Sequence, residues 1–184
     1  MVLEYPNKIS WRLLSEGITF YQKQDFIYKE VPWLAPTEIP EDYRYKTPLG
    51  DPVASGEQSF LYLDINGELP KGRYMTVTPC FRDEEEDEFH KRQFMKLELY
   101  ITDNVSESNL DNVICTCQAF FNKFIWKWPI KKVDMGDGTF DITSHDIELG
   151  SYGIREHKNL KWIYATGVAE PRLSQVRILS IRDK

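Results

Sequence analysis

The chain has 184 residues and 21.7 kDa, with 41% hydrophobic, 28% charged and 14% aromatic residues. That length buries roughly 70% of the extended chain's surface, so the composition excludes general disorder and any need for a metal or disulfide to fold. Twenty-three basic against twenty-nine acidic residues give −6, which argues against a general nucleic-acid binder and leaves a compact enzyme or binding module, one domain over residues 1–184.

Ser10 to Gln24 reads as an amphipathic helix, with Ser10 as N-cap and Trp11, Leu14, Ile18 and Tyr21 on its apolar face. Phe26 to Val31 is β-prone and ends before Pro32 and Pro36. Residues 36 to 53, with four prolines and two aspartates, predict a long surface loop. Ser59 to Leu63 and Tyr74 to Phe81 have strand length, and the turn-like INGELPKGR lies between them. After a charged stretch at 82 to 92, FMKLELYIT alternates as another strand. Residues 106 to 127 predict a helix capped by Ser106, with Leu110, Val113, Ile114, Cys117, Phe120, Phe121 and Phe124 inward. DMGDGT is a hairpin turn, then FDIT, IELGSYGI and LKWIYATG are strands, and a last helix starts near Arg172. Strands in the middle and helices at both ends predict an α+β domain, a largely antiparallel β-sheet flanked by helices.

Cys80, Cys115 and Cys117 are odd in number and lack zinc-ligand spacing, so they are expected to be buried free thiols. No stretch has signal-peptide or membrane-span character, and the expected location is cytoplasmic, with no membrane partner. Phe120, Phe121, Phe124, Trp126 and Trp128 are expected in core or interface, and His145 and His157 in structural or exposed places.

CFRDEEEDEFHKRQFMKLELY, residues 80 to 100, holds the strongest chemical signal. A strand delivers Arg82 into a charged hairpin, and a guanidinium forks onto a phosphate bidentately. His90, Lys91 and Arg92 follow the loop, and Phe94 offers a flat face to a nucleobase. The run Phe81-Arg82-Asp83-Glu84, then His90, Phe94 and Glu98, resembles the second signature motif of class II aminoacyl-tRNA synthetases. The resemblance implies that Arg82 holds the ATP α-phosphate and the substrate carboxylate, Glu84 meets the adenine amino group, His90 meets the terminal phosphates and Phe94 stacks on adenine. ATGVAEPRLSQVRIL resembles the third motif, with Ala165, Gly167 and Ala169 at the small positions under adenine and Arg172 at the arginine position. Two of that motif's glycines are alanine here, and Pro171 precedes the arginine. Residues 10 to 36 have the helix-then-strand order of the first motif, whose proline is Pro32 or Pro36.

Further likenesses fall in family order. Glu57 in SGEQ resembles the glutamate that receives the substrate α-ammonium, and a surface glutamate in a turn is the alternative. Glu148 and Ser151 resemble the pair that holds Mg²⁺ between ATP phosphates, an ion suited to hard oxygen donors. ELGSYGIR is similar to a segment of ammonia-dependent asparagine synthetase and of the aspartyl/asparaginyl branch, which implies substrate contact by Arg155, with an ion pair to Glu156 or Asp146 as the alternative. Glu98 joins the expected substrate set.

The resemblance implies a stand-alone class II catalytic core, about residues 10 to 178, that uses ATP and Mg²⁺ to turn an amino acid into its adenylate. It also implies a homodimer. With no segment left for an anticodon-binding domain, the expected acceptor is a minimal tRNA, ammonia or a protein side chain. The rival readings are a non-catalytic paralogue acting as a dimeric regulator or RNA-binding partner, and a biotin- or lipoate-ligase-like acyl transferase.

Overall fold

The computed structural model describes residues 8–35, 47, 48 and 50–182. Ser10 caps α1 (Trp11–Gln22) by accepting the Leu13 N–H, a contact worth about 1 kcal/mol. Leu13, Leu14, Gly17 and Tyr21 form its buried face, whereas Trp11, expected inside, is 64% exposed. β1 (Ile27–Tyr28) follows as a two-residue edge strand. Of the two possible motif prolines, Pro32 lies just beyond β1 and its carbonyl accepts the Ser59 hydroxyl, while Pro36 falls outside the described residues. The loop expected over 36 to 53 lies largely outside them too. Its described end holds β3 (Asp51–Pro52), antiparallel to β2 (Leu34–Ala35).

Ser59 to Leu63 is not a strand. It belongs to helix α2 (Gly56–Ile65), capped by Ser55. Gly56 to Leu61, Leu63 and Asp64 are all buried there, so the helix has no polar face whose period would distinguish it from a strand. β4 (Arg73–Phe81) and β5 (Gln93–Ile101) form a nine-pair antiparallel hairpin. Ser106 caps α3 (Glu107–Phe121), shorter than expected at its C-terminal end. β6 (Ile130–Asp134), not foreseen in the sequence, pairs with β7 (Phe140–Ser144). The long strands β8 (Ile147–His157) and β9 (Leu160–Glu170) and helix α4 (Arg172–Arg182) complete the chain.

The main sheet runs β1-β4-β5-β9-β8-β7-β6, antiparallel throughout except for β1 beside β4. Period-two alternation sends Leu97, Leu99 and Ile101 of β5 to one face. There they meet Leu13 and Leu14 of α1, Val113 and Phe120 of α3, and Leu173 and Val176 of α4. On the other face Phe60 and Leu63 of α2 pack on Tyr74, Tyr100, Trp162 and Tyr164, leaving the rest of that face open. The fold is α+β, a mostly antiparallel sheet with helices on both faces. The aromatic stripe divides: Phe120 and Phe121 are core, Trp128 stacks on His145 at 4.4 Å, and Trp126 is 79% exposed.

Cys80 and Cys117 are buried, and burial raises their thiols to about 11 and about 12, whereas Cys115 is exposed, against the expectation of three buried thiols. Native protein should therefore react with a thiol reagent at one site and denatured protein at three. Absorbance titration with Ellman's reagent measures the difference.

Candidate active site

On the open face a cavity of about 430 Å³ lies between α2 and the β6–β7 turn, floored by β5, β9 and β8. Eight of the expected residues line it: Glu57, Arg82, Phe94, Glu148, Ser151, Arg155, Ala169 and Arg172. Arg82 follows the last residue of β4, and its backbone N–H donates to Arg92 O at 2.8 Å and closes the charged hairpin. Its Nε donates to Ala54 O at 3.3 Å, and its guanidinium stands 5.1 Å from the centroid of the Phe94 ring. Arg172, the first residue of α4, donates from Nη1 to Glu148 Oε1 at 2.8 Å and from Nε to Phe89 O at 3.2 Å. It thus ties the hairpin loop to the cavity wall. Buried Glu170 just before it accepts the Ser10 N–H at 3.0 Å and the Ser174 hydroxyl at 2.6 Å, anchoring α4 to the start of α1.

Glu148 and Ser151 are three apart and would face opposite ways on a regular strand. A β-bulge corrects this: Ile142 pairs with Gly150 and Thr143 with Glu148, so Leu149 has no partner and both side chains reach the cavity. β9 bulges too, between pairs Leu97–Val168 and Glu98–Thr166, which leaves Gly167 as the extra residue and brings both Thr166 and Ala169 to the cavity. The Ser151 N–H donates to Thr166 Oγ1 at 3.3 Å, bridging the two bulges. A Cβ on Gly150 would fall 2.6 Å from Thr166 Cβ, so only glycine admits this approach.

Five expected residues are placed elsewhere. Glu98 is fully buried against the wall and pairs with Lys96 Nζ at 2.7 Å. Glu84 lines a small neighbouring crevice with Phe94 and Arg172. His90 is not on the cavity wall: its Nδ1 meets Asp87 Oδ2 at 2.7 Å in the hairpin loop, holding that carboxyl down at about 2. Gly167 lies on the helix-covered side, where a Cβ would meet Leu97 and Tyr21, and Ala165 is in the core on that side too, so of the three small residues only Ala169 is at the cavity.

Sequence reasoning did not single out Asp141, Lys96 or Tyr164, which also line the cavity. Asp141 pairs in register with Ser151. Burial first, and the Glu148 charge second, raise its carboxyl. Two carboxylates and a hydroxyl on one cavity wall are hard oxygen donors, and their chemistry fits Mg²⁺, which takes one or two protein carboxylates and keeps several waters. Among the described residues no larger His, Cys, Asp or Glu cluster is arranged for a metal.

Glu57 is not a surface glutamate. It is 7% exposed at the start of α2, accepting Arg155 Nη1 on one oxygen and Trp162 Nε1 on the other, each at 2.7 Å. Burial raises its carboxyl, Arg155 opposes that rise and Glu98 adds to it. A carboxyl raised on folding contributes stability at low pH that is lost as pH rises through its folded value. Glu57→Gln should accordingly flatten the decline in melting temperature from mildly acidic to neutral pH. Calorimetric melts across that range test it, and an unchanged slope would refute it.

Residues 57–178 match the family described as the tRNA synthetase class II core domain (F). The chain belongs to that family. Solved structures place this class II core beside a pyrrolysyl-tRNA synthetase from Desulfitobacterium hafniense, at TM-score 0.72 and 14% identity over 91% of this chain and 66% of that one. A cytoplasmic serine-tRNA ligase from Naegleria fowleri, in complex with AMP, gives 0.72 and 19% over 91% and 52%. A seryl-tRNA synthetase from Pyrococcus horikoshii, complexed with ATP, gives 0.70 and 17% over 92% and 49%. At such identities the likeness is one of fold, and the class II core spans from about half to about two thirds of those chains. No curated protein matches the sequence. Among the described residues no helix is long and apolar enough to cross a membrane.

Proposed function

We propose that this domain uses ATP to activate a carboxylate as its adenylate, an amino acid being the substrate class that the family suggests, and that it passes the acyl group to a tRNA or another small acceptor. The observation that carries this reading is Arg82 and Arg172 on one cavity with the flat face of Phe94, a phosphate grip beside a base platform. In the reaction a substrate carboxylate oxygen attacks the α-phosphorus and forms a new P–O bond. The bond to the bridging oxygen breaks, and pyrophosphate leaves with its electron pair. The attacking carboxylate is already ionised at neutral pH, so no general base is needed. Arg82 orients the α-phosphate and the carboxylate for in-line approach. Arg172, fixed by Glu148 and Phe89 O, stabilises charge on the nucleotide, and Phe94 positions adenine. Glu148, Asp141 and Ser151 would hold Mg²⁺, whose chemistry is to offset charge on the departing pyrophosphate.

ATP–pyrophosphate exchange across the twenty amino acids and ammonium-free carboxylic acids, with calorimetry for ATP, tests this reading. Exchange with any acid supports it, and absence of both exchange and ATP binding would refute it. A non-catalytic, nucleotide-binding paralogue is the second reading, favoured by His90 and Glu84 standing off the cavity. It requires ATP binding without exchange. The homodimer, with MgATP and an acyl acceptor as partners and a cytoplasmic location, belongs to the same proposal. Sedimentation at micromolar concentration checks the dimer.

A further inference from the structure

On the reading that this site activates an amino acid, the α2 end of the cavity indicates which side chain that amino acid carries. Arg82 and Phe94 serve phosphate and base, and Arg172, Asp141, Glu148 and Ser151 line the part assigned to the far phosphates. The lining nearest α2 is Ser55, Glu57, Lys96, Arg155, Tyr164 and Thr166, without one aliphatic side chain among them. Its one ring, Tyr164, is covered by the Arg155 guanidinium, 4.2 Å from the ring centroid. An aliphatic or aromatic side chain placed here finds no apolar wall.

Glu57 accepts Arg155 on one oxygen and Trp162 on the other. A carboxylate has about four lone-pair sites, so it can still take an α-ammonium from the cavity. Lys96 is the group whose set is incomplete. Its side chain is 10% exposed, and its ammonium gives one N–H to Glu98 Oε2 at 2.7 Å. Among the described residues its other two N–H groups have no acceptor. Lys96 shares a face of β5 with Phe94, about 7 Å of strand from the base platform. A side-chain oxygen that reaches this wall supplies the missing acceptor. A hydrocarbon there strips water from the ammonium and offers no bond in return. A charged side chain is disfavoured as well, because Glu98 already neutralises Lys96 and an added carboxylate or ammonium leaves the pair with surplus charge.

We propose that the substrate is an amino acid whose aliphatic side chain ends in a neutral oxygen, a hydroxyl or a carboxamide, and that Lys96 donates a hydrogen bond to that oxygen. Lys96 is then a specificity-determining residue. Glu98, fully buried and bonded also by the Ser55 hydroxyl, is the positioning residue that holds the ammonium in place.

ATP–pyrophosphate exchange is compared in pairs of similar shape: threonine with valine, asparagine with leucine, serine with alanine, glutamine with methionine. The polar member of the best-supported pair should exceed its partner in kcat/KM by at least about 100-fold, because a site built around a hydrogen bond rejects the analogue that lacks it. Best exchange by any acid other than serine, threonine, asparagine or glutamine overturns this inference and leaves the adenylation reading intact. Silence from every acid removes both. Lys96→Met keeps the stem and removes the donor, so the ratio within the pair should fall by at least about tenfold. Should that variant fail to fold around an unpaired Glu98, Lys96→Met with Glu98→Gln removes both charges together and should show the same fall. A ratio unchanged in whichever variant folds, even at a lower overall rate, refutes the role of Lys96, since a lysine that only supports the fold or the phosphates would slow both members alike.

Discussion

Arg82→Ala should lower kcat/KM for ATP–pyrophosphate exchange by at least about 100-fold, the scale on which loss of one preorganised charge-stabilising donor acts. The backbone N–H of Arg82 still closes the hairpin on Arg92 O, and its side chain is 30% exposed, so the variant keeps its fold. A melting temperature within a few degrees of wild type is the control. What is lost is the planar fork above Phe94, fixed at Nε by Ala54 O. Arg82→Lys should recover only part of the rate, because an ammonium restores the charge without the bidentate geometry. Retention of exchange by Arg82→Ala would remove the residue from the phosphate grip.

Why Arg82 was legible in the sequence, and Asp141 was not, follows from the physics of the two places. Arg82, Phe94 and Glu98 lie on one antiparallel hairpin, whose register follows from its alternation, so linear spacing translates directly into neighbourhood. Asp141 becomes a site residue only through the pairing of β7 with β8, and that pairing contains a bulge that strict alternation does not announce. The third-motif strand shows the same limit: Ala165 and Gly167 share the helix-covered face, and the bulge at Gly167 is what turns Ala169 to the cavity.

The same contrast holds for the fold. α1 and α3 were readable because each buries one face and each starts at a serine cap. α2 buries nearly its whole surface between sheet and loop, so its apolar run looks like a strand, although Ser55 was a cap in plain sight. β6 is a mostly exposed edge strand, IKKVD, with no apolar alternation to reveal it. Lys96 and Glu57 show the remaining limit. A sequence names the charged residues, but which cation neutralises which carboxylate is decided by side chains from three different elements meeting in space.

Calorimetry with ATP alone and with MgATP should show at least about tenfold tighter binding with the divalent ion in wild type, and little Mg²⁺ dependence in the Asp141→Asn, Glu148→Gln double variant. The cavity wall presents Asp137, Asp141 and Glu148 close to where Arg172 would meet the nucleotide. Arg172 already neutralises Glu148 through its 2.8 Å contact, so it cannot also offset Asp141 fully, and the Asp141 carboxyl is raised by burial and by Glu148. A triphosphate brought to this wall without a cation meets like charge in a partly water-excluded place, where the repulsion is far stronger than in bulk water. Mg²⁺ held by Asp141 and Glu148 would supply the positive charge that reverses the sign of that interaction. Neutral amides keep the shape and the Arg172 contact but remove the two negative charges. The double variant should therefore bind ATP alone better than wild type does, while losing exchange activity. A Mg²⁺ dependence unchanged by the double substitution would move the ion's site away from Asp141 and Glu148.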